Sequence, residues 1–326
     1  MESAHATEAD KPLEVKGLSD MVRRFSTDAA CRGYLESRRW PDGPVCPHCG
    51  FKGAYRIAGE KARPGLWTCK SPVCRKQYTV TVGTIFRDSH LPLPVWFQII
   101  YLMCASKKGV SAHQLHRMLE IPYKTAWSVC QRLRLEMRAK TELFHLRDVV
   151  EIDETFLGGR PRPRHGLTRK VDGRRRKMEN KTVVMAMVER GGRVLARPIR
   201  GTKRGNLSPM IARHVDPKAA VMTDHWGAYK TILAGREHHT VNHANRQYAD
   251  GAAHVNTAES FFALLKRGYH GTFHHFSRKW AGRYCAEFGF RFNTRQLTDG
   301  QRFGAFFADL TTIGWAWGHP RRPAQA

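Results

Sequence analysis

Three acidic side chains lie where three separate elements could bring them to one place. Val149–Phe156 reads as a strand, closing near Gly158-Gly159 and carrying Glu151, Asp153 and Glu154. Ala219–Thr223 reads as a short strand that delivers Asp224 at its end, and Asn256–Arg267 reads as a helix carrying Glu259 and Lys266. Two carboxylates about 4 Å apart repel by roughly 4 kcal/mol at an effective dielectric of 20. Such a cluster persists comfortably only with cations between its members. Hard divalent ions such as magnesium or manganese take oxygen ligands. Two of them can stabilise the attacking and the leaving oxygen of a phosphodiester displacement.

Lys266 follows Glu259 by seven residues and returns to nearly the same helical face, with the small Ala263 between them. Phe261, Phe262, Leu265 and Tyr269 occupy another face. An acid for metal and a lysine for a phosphate would be arranged this way. Two alternatives stay open. Asn256-Thr-Ala-Glu259 also matches a capping box, which would give Glu259 a structural role. Strand alternation puts Glu151 and Asp153 on one face and Glu154 on the other, and does not choose between the first two.

The elements that must position these residues form a strand–helix alternation over 148–318. A meander of three strands, with a hairpin at Gly191-Gly192, precedes a helix, a strand and further helices. That is the order of an RNase H-like domain. Inside it, Arg160–Lys181 carries ten Lys and Arg and no apolar period. It reads as a basic insertion, 160–181, whose Arg174, Arg175, Arg176 and Lys177 are candidates for DNA phosphates.

Upstream, Cys46-Pro-His-Cys49 and the Cys69/Cys74 pair are separated by 19 residues. Two tight turns supplying two thiolates each make a tetrahedral zinc site, so residues 43–90 read as a zinc ribbon with structural zinc. Cys31, Cys104, Cys130 and Cys285 are scattered among apolar residues and read as packing. Residues 91–140 read as helices. Ser111 to Gln114 matches a capping box, and Glu120-Ile-Pro122 forms a tight turn before a second helix. This resembles a helix-turn-helix module presenting Lys124, Thr125 and Arg132 to a groove. Residues 21–42 read as a helical lead-in and 1–20 as a disordered tail.

The whole is a multidomain α/β chain of 326 residues with a net charge of +27. Such a surplus calls for a polyanion, and double-stranded DNA is the expected partner. No apolar run is long enough to span a bilayer, and the first residues lack a signal-peptide layout, so the expected place is the cytoplasm, at the nucleoid.

Ile152–Gly159, Thr223–Tyr229 and His254–Arg267 together resemble the DDE transposases of bacterial insertion sequences, in the ISXO-like group that joins a zinc ribbon to the catalytic domain. Tyr269–His275 and Glu287–Asn293 resemble the same group, and the likeness spans about residues 25 to 295. The resemblance implies Asp153 and Asp224 as the first two acids. It implies two magnesium or manganese ions on Asp153, Asp224 and Glu259, with Lys266 and Arg267 on DNA. Members carry Asn as well as Glu at the third position. Glu259 is preferred, because a carboxylate holds metal better than an amide; Asn256 is then the helix cap or an outer ligand. His225 departs from the pattern, where a smaller residue is expected. The implied activity is cleavage at transposon ends followed by strand transfer into target DNA, by at least a dimer. The alternatives are a DNA-binding protein without catalysis and a nuclease that never joins strands. Trp226 and Trp280 read as core residues, with stacking on a flipped base as the alternative for either. His254, His270, His274 and His275 read as structural or DNA contacts.

Overall fold

Phe25, Tyr34 and Phe97 lie far apart in sequence and need a common apolar home. In the computed structural model, which describes residues 15–59, 61–141, 144–159, 181–241, 254–308, 310, 315–316 and 319–320, they form one aromatic cluster. The chain divides into two compact units, one of residues 1–136 and 297–326 and the other of 137–296.

The first unit starts with α1 (Leu18–Arg24) and α2 (Asp28–Arg39). Helix α1 begins inside the stretch expected to be a tail. Asp20 accepts hydrogen bonds from the Lys16 backbone N–H and from Arg23 and Arg24, while Met21 is fully buried. The lead-in is thus two helices, broken where the Thr27 hydroxyl accepts from the Ala30 N–H as the cap of α2. Strands β1 (Ala54–Arg56), β2 (Trp67–Cys69) and β3 (Gln77–Tyr78) make an antiparallel sheet in sequence order. The sequence alternates from Gln77 to Val82, but only Gln77-Tyr78 is strand. The chain then turns away, because Arg39 takes the carbonyls of Val80 and Val82, and Thr84 donates to the Thr81 carbonyl. Helices α3 (Leu93–Ala105), α4 (Ala112–Leu119) and α5 (Tyr123–Thr141) follow. Ser111 caps α4 by accepting from the Gln114 N–H, and Glu120 ends it in the left-handed region with φ of 52°.

The second unit is built on one mixed sheet. Strands β4 (Val149–Leu157), β5 (Thr182–Glu189) and β6 (Val194–Ile199) form an antiparallel meander, turning at Gly191, whose φ of 73° suits glycine. Helix α6 (Arg204–His214) leads to β7 (Ala220–Asp224), α7 (Gly227–Ile232) leads to β8 (His238–Val241), and α8 (Asn256–Gly268) and α9 (Arg278–Asn293) follow. The strand order is β6-β5-β4-β7-β8, with β7 parallel to both β4 and β8. Strand β8 was not anticipated: it is short and largely polar, with Val241 its one buried side chain. One sheet face packs Leu207, Ile211, Tyr229 and Leu233; the other packs Phe261, Leu265, Phe288 and Phe292.

After Gln296 the chain returns to the first unit, where the expected catalytic segment ran on to 318. Helix α10 (Asp299–Phe307) places Phe303 and Phe307 against Phe25, Tyr34 and Phe97. An i, i+4 aromatic pair needs such a partner, and the first unit supplies it. Short β9 (Trp315–Ala316) and β10 (His319–Pro320) pair beyond it. Among the described residues, no helix is long and apolar enough to cross a membrane.

Candidate active site

Asp153 and Asp224 lie side by side where the pairing of β4 with β7 stops, Asp153 within β4 and Asp224 at the end of β7. The last registered pair between parallel β4 and β7 is Ile152 with Thr223, so the two aspartates are the next residue on each strand. Both are half-buried. Val150, Ile152 and Val221 point to the α6–α7 face, and Ala220 and Met222 pack with Val255 on the other. Alternation therefore turns both aspartates toward the face where α8 begins. One Asp153 carboxylate oxygen accepts from the Glu154 N–H at 2.7 Å, and one of Asp224 accepts from the Trp226 N–H at 3.3 Å.

Glu154 points the other way and receives the hydroxyl of Tyr229, a fully buried residue on α7. Burial pushes the Glu154 carboxyl up to about 7. The Tyr229 hydrogen bond pulls it down, and the charges of Asp224 and Asp153 push it further up. Three acids thus share one patch of field. Sequence reasoning missed the Glu154–Tyr229 bond, although it joins the two strand motifs that carry the aspartates.

Glu151 has no exposed surface, and its work is structural. Its carboxylate accepts from the backbone N–H groups of Thr257 and Ala258 at 2.8 and 3.1 Å, from the Thr257 hydroxyl at 2.9 Å and from Arg190 Nε at 3.0 Å. His254 Nδ1 lies 3.2 Å away. A carboxylate from β4 thus caps the N-terminus of α8, where unpaired N–H groups and the helix dipole favour negative charge. The expected capping box does not form: the N-cap is Val255, without a side-chain cap bond, and the Glu259 N–H donates to the Val255 carbonyl. Asn256 is the first helical residue, exposed, and not the cap. The strand supplies what the asparagine would have supplied.

Along α8, Ala258, Phe261, Phe262 and Leu265 are buried, while Glu259, Ala263, Lys266 and Arg267 are exposed. Glu259 and Lys266 are about 10 Å apart along the axis on one stripe. The acids are not drawn together as tightly as the thiols: among the described residues, the four cysteines are the one group of three or more candidate ligands within 4.8 Å of one another. A π-helical turn, Tyr269–Phe273, ends α8. There His275 Nδ1 meets the Tyr269 hydroxyl at 3.2 Å, and His270 and His274 are exposed.

The Cys46 and Cys74 sulfurs are 3.8 Å apart, and those of Cys49 and Cys69 are 3.7 Å apart. A tetrahedron with zinc–sulfur bonds of 2.3 Å has edges of about 3.8 Å, so the four thiols fit zinc. The Ser71 N–H donates to Cys69 Sγ at 3.4 Å, the kind of bond that stabilises a thiolate ligand. His48 is exposed and outside the group.

Two family models match this chain. Residues 145–293 match the ISXO2-like transposase domain, and residues 26–77 match the transposase zinc-ribbon domain. The chain thus carries an ISXO2-like transposase domain and a transposase zinc ribbon, as those family models describe them. It is also 27% identical over 257 residues to an uncharacterized protein in transposable element ISH50 of Halobacterium salinarum, covering 76% of this chain and 84% of that one.

The cationic residues of this ISXO2-like chain fall into three groups. Lys124, Lys266 and Arg267 are exposed. Thr125 is half-buried at the start of α5. Arg132 is engaged within its own unit: it donates to the carbonyls of Ile85 and Arg87 and lies 6.0 Å from the Trp96 ring. Arg174, Arg175, Arg176 and Lys177, with nearly all of the basic insertion, lie outside the described residues. Trp226, expected in the core, is instead 51% exposed, whereas Trp280 packs partly against the α8–α9 core under Arg283.

Proposed function

We propose that this chain is a DNA transposase that cuts transposon ends and joins them to target DNA, with Asp153, Asp224 and Glu259 as the catalytic acids. The observation that carries the reading is that Asp153 and Asp224 are the next residues past the last β4–β7 pair, on the face toward a helix whose start Glu151 anchors. The strand order, three antiparallel strands followed by two parallel ones, supports an RNase H-like reading of the second unit. Helices α4 and α5, joined across Glu120-Ile121-Pro122, support a helix-turn-helix reading in which Lys124 and Thr125 start the second helix.

Asp153, Asp224 and Glu259 would hold two magnesium or manganese ions, which when bound stabilise the attacking and leaving oxygens of the displacement. Lys266 neutralises the phosphate at the cut and holds the DNA end, with Arg267 beside it. Asn256, one turn before Glu259, reaches the same stripe as an outer ligand. Strand transfer needs two ends held together, so the working species is a dimer or larger, acting at the nucleoid.

Asp224→Asn tests the reading. Magnesium-dependent nicking of a duplex bearing the terminal repeat should fall by at least a thousandfold, on the order of losing one metal-holding group. Affinity for the same duplex should hold. Cleavage by the variant at the wild-type rate would overturn the assignment. Binding without cleavage by the wild type would favour a DNA-binding protein, and cleavage without joining a nuclease.

A further inference from the structure

Among the described residues of the second unit, the large apolar side chains left exposed are Phe156 and Trp226. Scattered exposed apolar residues are ordinary. These two are not scattered: Phe156 lies three residues past Asp153, and Trp226 two past Asp224. Alternation sends Phe156 to the sheet face opposite Asp153, so the ring beside the acids is that of Trp226, whose N–H meets Asp224.

Trp226 is held at one edge of its indole and at its backbone. Its Nε1–H donates to the Thr202 carbonyl at 3.2 Å, and its backbone N–H donates to Asp224 at 3.3 Å. A ring so held has already given up most of its rotamer freedom, so a partner stacking on it loses little more. Thr202 is flanked by exposed Arg200, Lys203 and Arg204, and Lys181 Nζ lies 6.0 Å from the Phe156 ring. Aromatic faces interleaved with cations suit unpaired nucleotides, whose bases stack while their phosphates meet positive charge.

We propose that Trp226 is a stacking platform for one nucleobase next to the scissile phosphate, taken out of the duplex stack as the DNA end enters. This rests on Asp153 and Asp224 marking the scissile position. A base can reach the ring only after leaving its pair, and that cost is smallest for a mismatched base. Trp226 thus lowers the cost of opening the end.

The test uses the full chain and two duplexes of the terminal repeat, one fully paired and one mismatched at the nucleotide beside the cut. Trp226→Ala should cut the paired duplex about tenfold or more slowly, the scale of one base–aromatic stack. It should recover much of that loss on the mismatched duplex, and Trp226→Phe should fall between. Equal slowing on both duplexes, or no slowing, would overturn the proposal. A second readout is independent of cleavage: 2-aminopurine at the same nucleotide, followed in calcium. Wild type and Asp224→Asn should both change its fluorescence, and Trp226→Ala should not. No change with the wild type overturns the stacking proposal whatever the acids do. Cleavage by Asp224→Asn overturns the acid assignment while leaving the fluorescence result to stand alone.

Discussion

Glu151 and Asp153 share one face of one strand, two residues apart, and their surroundings give them different work. Glu151 lies opposite Met222 within the registered sheet and accepts four hydrogen bonds; Asp153 lies beyond the last β4–β7 pair. Removing the carboxylate takes one bond from Arg190, which keeps the His254 carbonyl, and the buried acceptor from two helix N–H groups. Glu151→Ala should therefore destabilise the protein by about 3 kcal/mol, the cost of breaking a buried pair. Denaturant midpoints check this; a change under about 0.5 kcal/mol, the range of ordinary surface substitutions, would contradict the anchoring role. Alternation in the sequence showed that Glu151 and Asp153 share a face. It could not show which one the sheet buries, because depth depends on where β7 stops pairing. The capping box at Asn256 failed for a similar reason: a local pattern lost to a carboxylate 105 residues upstream.

At the scale of elements, the ribbon and the C-terminal helix behave differently. Strands β1 to β3 are two or three residues each, too short to hold without their cross-link. Zinc binding can supply on the order of 10 kcal/mol to such a module. A chelator should therefore open residues 43–90 to limited proteolysis while the second unit stays protected, and equal protection with and without chelator would contradict a structural metal. Helix α10 depends on aromatic packing instead. Phe303→Ala, at the centre of its cluster, should cost about 3–5 kcal/mol in unfolding free energy. A loss below 1 kcal/mol would mean that α10 is not part of that core. The cysteine spacing made the ribbon legible, because metal geometry is local. The return of α10 was not legible: its apolar face is evident, but nothing in the sequence says which unit it covers.

For the whole molecule, charge is the property the sequence states most plainly, at +27. DNA affinity should fall steeply with salt as condensed counterions are released. Deleting residues 160–181 should flatten the log–log slope by a few units if that stretch lies on phosphates. An unchanged slope would mean that binding rests on other surfaces, such as Lys124, Lys266 and Arg267. The strand order that brings Asp153 beside Asp224 was foreseeable from the meander and the short strand after α6, because parallel neighbours leave few topologies. Trp226 was misplaced because an aromatic in a strand–helix corner usually packs, and only the fold shows this one facing water.

The central claim, that Asp224 holds a catalytic divalent ion, is tested most directly by exchanging its oxygen ligand for sulfur. Magnesium binds thiolate poorly, and softer ions accept it. Asp224→Cys should be inactive in end cleavage with magnesium and regain activity with manganese, at unchanged DNA affinity. Cleavage by Asp224→Cys with magnesium at the wild-type rate would contradict the account.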